Sequence, residues 1–311
     1  MHATSGPART ATGAVGAKRW RPGAMNRIEP QTRWRRRQHV IFDCDATLSA
    51  IEGIDVLADG HPAQAEVEAL TESAMSGERP LDDVYATRLD ALQPTLGHVT
   101  ALRHDYKRHL VDGAREVIAA LAMLGHDVYI VSGGLAPPVR ELGAHLGIPA
   151  EHIHAVETNH DRLSGTWWLP GDDSEQAYAG HDASELATAD GKAVVIESIL
   201  GEAGGGSVLI GDGASDLAAN GVVDLFIGFG GVSHRDAIKA AADIYVGARS
   251  LFPILPLVGG SAALGAPDSE TAAVMQRALD EIDGGAVSFG CHEQRSRFAA
   301  AFSLSPPKAE S

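Results

Sequence analysis

Short apolar runs alternate with helix-period stripes along most of this chain. Val40-Ile41-Phe42 is the first run, unbroken by a polar residue, as in a strand buried on both faces. Residues 51–110 then read as helices. Leu81, Val84, Tyr85 and Leu92 recur at helical spacing, and so do Leu96, Val99, Leu102, Tyr106 and Leu110. Pro80 suits a first turn and Pro94 a break. No strand pattern interrupts this stretch, which reads as a helical subdomain inserted after the first strand.

From residue 112 the period changes repeatedly. A helix face (Val117, Ile118, Leu121, Leu124) stops at Gly125, and the strand Asp127–Val131 runs into Ser132-Gly133-Gly134. Pro137 opens a helix with Val139, Leu142 and Leu146 on one face. Residues 153–169 fit a short strand and a hairpin around Leu163-Ser164-Gly165, with Trp167 and Trp168 as hairpin packing. Residues 171–191 read as polar loop. A helix through Val194, Val195, Ile199 and Leu200 follows, then strand Ser207–Ile210, a short helix from Ser215, strand Asp224–Ile227, helix 233–242 and strand 243–246. Strands alternating with helices predict an α/β fold with a doubly wound parallel sheet. Beyond Gly259 the chain is rich in Gly, Ala, Ser and Pro, with one amphipathic helix near 268–283 capped by Asp268 or Ser269. The expected domains are therefore a basic, disordered extension over 1–37, a core of 38–50 and 111–247, a cap of 51–110, and a C-terminal extension of unassigned role over 248–311.

Charge separates the arm from the body. Of 25 Lys plus Arg and 41 Asp plus Glu in the 311 residues, nine basic and one acidic fall in 1–38. The remaining 16 basic against 40 acidic side chains disfavour nucleic acid and anionic membrane as partners. No apolar run approaches the ~20 residues that span a bilayer. The arm fits a solvated tail, a transit peptide, or sequence ahead of a start at Met25, and it lacks the apolar region of a secretory signal. Two cysteines, Cys44 and Cys291, give no disulfide framework and point to a reducing compartment, so a cytoplasmic location is expected.

Candidate chemistry collects at strand ends. Asp43 and Asp45, two apart, follow the first strand with Thr47 behind them. In continuing strand geometry they face one way, and like charges so close need a cation, a shared proton or separate tasks. Ser132 and Gly133 end a second strand, and Gly211-Asp212-Gly213-Ala214-Ser215-Asp216 ends a third. In a parallel sheet all three lie on one edge, where open α/β sheets bind ligands. Carboxylates from two strand ends suit Mg²⁺, the Gly133 backbone can approach an anion closely, and Lys192, opening a helix, can reach the same edge. Singly, each piece also fits a plain turn, a helix cap or a solvated residue.

Taken in order, Asp43-x-Asp45-x-Thr47, Ser132, Lys192 and Gly211-Asp212-Gly213-x-x-Asp216 resemble the haloacid dehalogenase-like phosphatases. Within them the resemblance is to the phosphoserine phosphatases, through Glu52-Gly53-Ile54-Asp55, Met75-Ser76-Gly77, Arg88-Leu89, Ser132-Gly133-Gly134 and Ile227-Gly228-Phe229-Gly230-Gly231. It covers roughly residues 38–247, with a longer hairpin segment at 166–177. The resemblance implies a Rossmannoid core with Asp43 as nucleophile and Asp45 as general acid and base. It implies Mg²⁺ held by Asp43, Asp45 and Asp212 with Asp216 in support, and phosphate held by Ser132, Gly133 and Lys192. Glu52 and Arg88 match the positions that take an amino-acid ammonium and carboxylate. The implied activity is hydrolysis of the small-molecule phosphomonoester O-phospho-L-serine, in serine biosynthesis, by a monomer or homodimer. Two other readings fit the residues: a phosphatase or phosphotransferase for another small phosphomonoester, and a non-enzymatic phospho-acceptor domain.

Overall fold

The computed structural model describes residues 34–304 apart from Ala183, Ala266 and Pro267. Strand β1 (His39–Phe42) is followed by four helices, α1 (Gly53–Ala58), α2 (Gln64–Met75), α3 (Leu81–Leu92) and α4 (Leu96–Arg108). These form the cap, free of strands as the periodicity predicts. The chain continues with α5 (Ala114–Met123), β2 (Asp127–Leu135), α6 (Ala136–His145), β3 (Ile153–Val156) and a hairpin of β4 (Thr158–Asp161) and β5 (Ala177–His181). Next come α7 (Gly191–Leu200), β6 (Ser207–Gly211), α8 (Ala214–Ala218), β7 (Phe226–Phe229), α9 (Asp236–Ala241) and β8 (Ile244–Val246). The last elements are α10 (Ile254–Gly259), α11 (Ser269–Asp283), β9 (Val287–Phe289) and α12 (His292–Phe302).

Seven strands form one sheet in the order β3-β2-β1-β6-β7-β8-β9. Six run parallel, and β9 closes the edge antiparallel to β8. Strand β1 lies inside the sheet, paired on one edge with β2 and on the other with β6, and Val40, Ile41 and Phe42 are wholly inaccessible on both faces. In register, Phe42 lies between Ile130 of β2 and Ile210 of β6. The three strands that carry candidate chemistry are thus adjacent, and their carboxyl ends meet.

The structure changes four expectations. Residues 171–191 are not all loop, since β5 pairs with β4 across a long connection. The small residues of β5 (Ala177, Ala179 and Gly180 around Tyr178) hid it, because they carry little strand propensity and a two-stranded ribbon needs no buried run. Trp167 and Trp168 do not pack the hairpin; they are 57% and 62% exposed and meet each other edge to face. The C-terminal segment is built into the core: α11 lies against α5 and α10 with Val274, Met275 and Leu279 buried, and Asp268 caps it through the Thr271 N–H at 2.7 Å. The expected extension 1–37 lies outside the described residues up to position 33, but its last part is core. Trp34 is buried edge-on against Phe289 and Phe298, its indole N–H donating to the Leu257 carbonyl at 2.7 Å. No helix among the described residues is long and apolar enough to cross a membrane.

Candidate active site

The turn after β1 is shaped by Ala46, whose φ of 49° is in the left-handed region. That kink folds the chain back so that the Ala46 N–H donates to the Ile51 carbonyl at 3.1 Å. Asp43 and Asp45 are thereby set at the mouth of the sheet beneath the cap. Asp43 is buried; its Oδ1 accepts from the Cys44 N–H at 2.7 Å and its Oδ2 lies 3.1 Å from Lys192 Nζ. Asp45 Oδ2 accepts from the Gly53 N–H at 3.2 Å, while its Oδ1 is buried with no partner. Burial, with the Asp43 charge adding to it, pushes the Asp45 carboxyl up to about 7.

The Gly-Asp-Gly turn after β6 supplies the next layer. A Cβ on Gly211 would lie 2.1 Å from the Asp216 carboxyl carbon, so only glycine lets Asp216 fold back under the strand end. Asp216 accepts from the Gly213 N–H at 3.1 Å and from Lys192 Nζ at 2.5 Å. Burial alone would lower the Lys192 ammonium, but Asp216 and Asp43 overcome it and drive the pKa up. Burial followed by the Asp43 charge raises Asp216 to about 7 and Asp212 well above the usual carboxylate range. Asp212 Oδ1 accepts from Thr47 Oγ1 at 3.3 Å, and its Oδ2 is buried with no hydrogen-bond partner.

Carboxylate oxygens of Asp43, Asp212 and Asp216 lie within 4.8 Å of one another. Burial and the neighbouring Asp43 charge raise Asp212 and Asp216, and an acceptor, Asp212 Oδ2, is left unused. A hard divalent cation would satisfy both conditions, so the trio fits a metal site. The Asp45 carboxylate is not among the three.

Above this floor is a cleft of about 630 Å³, counted to its open mouth. Of the residues singled out by sequence, Asp43, Asp45, Glu52, Arg88, Ser132, Gly133 and Lys192 all line it, whereas Asp212 and Asp216 lie in the floor behind Asp43. Arg88 projects from α3, its Nη1 donating to Thr71 Oγ1 at 3.2 Å, and Thr71 donates in turn to Asp55 at 2.8 Å. Arg88 Nε and Glu52 Oε1 are buried with no partner. Burial, then the charges of Asp45, Asp212 and Asp43, push Glu52 well above its ordinary pKa. Ser132 Oγ accepts from the Gly134 N–H at 3.0 Å.

Sequence reasoning missed three residues here. Tyr106 and Tyr85 look like members of helical core stripes, yet both line the cleft, Tyr85 donating to the Gly133 carbonyl at 2.9 Å. Arg235, the residue before α9, has its Nε 3.5 Å from Asp212 Oδ2. It falls within the helix expected over 233–242, which begins only at Asp236, and no spacing signal marks it.

The chain belongs to the haloacid dehalogenase-like hydrolases, whose family model matches residues 40–219. It is 34% identical to the phosphoserine phosphatase of Rattus norvegicus over 209 residues, which cover 67% of this chain and 88% of the rat protein. Identity to the chloroplastic phosphoserine phosphatase of Arabidopsis thaliana is 35% over 214 residues, 68% of each chain. Among solved structures, a phospho-aspartyl intermediate analogue of phosphoserine phosphatase superposes with a TM-score of 0.58 at 26% identity, covering 72% of this chain and all of that one.

Proposed function

We propose that this chain is a Mg²⁺-dependent phosphomonoesterase that hydrolyses O-phospho-L-serine to L-serine and phosphate. One observation carries the substrate reading. The cleft presents Asp43 and Lys192 together with a half-buried carboxylate, Glu52, and a buried guanidinium, Arg88, each with an unused buried polar atom. A buried polar atom left without a hydrogen-bond partner costs about 1–3 kcal/mol. A zwitterionic amino acid supplies both partners at once: its ammonium for Glu52 and its carboxylate for Arg88.

In the proposed reaction an Asp43 carboxylate oxygen attacks phosphorus. The bond from phosphorus to the serine oxygen breaks, and Asp45 gives its proton to that oxygen. Asp45, now a carboxylate, takes a proton from water, whose oxygen attacks the same phosphorus. The bond to Asp43 breaks and phosphate leaves. Lys192, Ser132 and the backbone at Gly133 hold the phosphoryl oxygens. Asp43 and Asp212, with the Asp45 carbonyl and support from Asp216, would hold Mg²⁺, which supplies positive charge to offset that of the phosphoryl group.

The test is Arg88→Ala, assayed on two substrates. Loss of a bidentate charge pair in a closed site costs about 2–5 kcal/mol, so kcat/KM for phosphoserine falls ~30-fold or more. p-Nitrophenyl phosphate has no carboxylate for the clamp, and its kcat/KM changes little. Equal loss on both substrates would assign Arg88 to the cap fold, and no loss on either would exclude an amino-acid substrate.

A further inference from the structure

Arg235 has no part in the reaction above, yet it touches both halves of the site. Its side chain is 11% exposed. Nη1 donates to both carboxylate oxygens of Glu72 on cap helix α2, at 3.0 and 3.2 Å. On the other side Nε faces Asp212 Oδ2 at 3.5 Å, and both atoms are buried without a hydrogen bond. The pair attracts through charge without the short, aligned contact of a fixed fork. One guanidinium is thus shared between the floor carboxylate that fits a cation and a glutamate on the cap, whose own side chain is 70% exposed.

We infer that Arg235 is a positioning residue that couples cation binding at Asp212 to the hold of the cap. This inference rests on the divalent-cation reading of the Asp43, Asp212 and Asp216 trio. Without a cation, Arg235 is the counter-charge nearest the unused oxygen of Asp212. A cation arriving there repels the guanidinium and takes up the negative charge that attracted it. The remaining attraction of Arg235 is then toward Glu72, which draws α2 onto the floor of the cleft. The two ends compete for one charge, so disturbing them has opposite effects on cation affinity.

Calorimetric titration of the full chain with MgCl₂ tests this without an activity readout. Arg235→Gln keeps the length and loses the competing charge, so Mg²⁺ binds about fivefold more tightly or better. Glu72→Gln is a change at an exposed side chain that the fold tolerates. It leaves Arg235 with Asp212 alone, so Mg²⁺ binds at least about twofold more weakly. In both variants the KM for p-nitrophenyl phosphate rises, because the cap has lost its tie. A purely structural arginine would lower the melting temperature and leave both affinities at the wild-type value, and that result overturns the inference. An affinity that fails to weaken in Glu72→Gln overturns it independently, should Arg235→Gln be too unstable to titrate. If the wild-type protein binds no Mg²⁺, the cation reading itself fails and this inference with it; unchanged affinities in the variants remove this inference alone.

Discussion

At the scale of single residues, the site depends on positions whose chemistry is ordinary and whose geometry is not. Ala46 is one of them. A non-glycine residue in the left-handed region costs roughly 1–2 kcal/mol, and this one directly follows the second aspartate, Asp45, with φ 49°. A β-branched side chain is less tolerant there, so Ala46→Val lowers the unfolding free energy by a further ~1–2 kcal/mol, while Ala46→Gly keeps or slightly raises it. Urea midpoints of the two variants check this, and equal midpoints would mean the turn is not strained. His126 is a second such position, on the far side of the sheet. Its Nδ1 lies 2.6 Å from the Arg37 carbonyl, and burial holds its pKa down to about 4 against an ordinary 6.5. The unfolded chain therefore binds this proton first as pH falls. The stability held above pH 6.5 is lost progressively toward pH 4, by up to ~2 kcal/mol after allowance for its partly open edge. His126→Gln carries no such proton, so the stability gap between variant and wild type narrows over that interval. A constant gap would show that His126 does not titrate differently on folding.

Among elements, the lead into β1 and the last strand and helix work as one unit. Trp34 sits between Phe289 of β9 and Phe298 of α12, while the Arg37 N–H donates to the Val258 carbonyl at 2.9 Å. The two ends of the described chain thus close on each other beside the sheet edge, with β9 covering the backbone groups of β8 that would otherwise stay unpaired. Truncations separate the arm from this closure. Removing residues 1–33 leaves both melting temperature and kcat/KM unchanged. Removing 1–37 also deletes Trp34, and loss of a buried large aromatic costs about 3–5 kcal/mol, so the melting temperature drops by several degrees or more. A drop after the shorter cut would give the arm a part in stability; no drop after the longer one would deny Trp34 its place in the core.

Across the whole molecule, catalysis as proposed needs the cap and the sheet edge to meet, and several contacts join them. Asp82 of α3 accepts from the Ala189 N–H, Tyr85 reaches the Gly133 carbonyl, and Glu72 of α2 reaches Arg235. These attach the cap on opposite flanks of the cleft and bring Glu52 and Arg88 over Asp43 and Lys192. The Asp43, Asp212 and Asp216 cluster was legible in sequence because every member follows a strand, and parallel strands necessarily end on one edge. That β1 is buried on both faces was legible too, since its three apolar residues are unbroken by a polar one; its pairing with β2 and β6 is seen only in the structure. Local patterns also carried the cap helices and an N-cap at Asp268 or Ser269, of which the structure uses Asp268.

What the sequence could not determine are the features that exist only between elements. Strand β5 has no apolar run and gains its partner from residues some twenty positions earlier. Trp34 reads as part of a charged arm until β9 and α12 return to cover it. Arg235 is one arginine at the start of an expected helix, and its meaning comes from Asp212 and Glu72, which lie 23 and 163 positions away in the chain. Periodicity reports which face of an element is buried, because burial repeats with the geometry of that element. It carries no record of which distant charge a side chain will meet, and only the packed structure decides that.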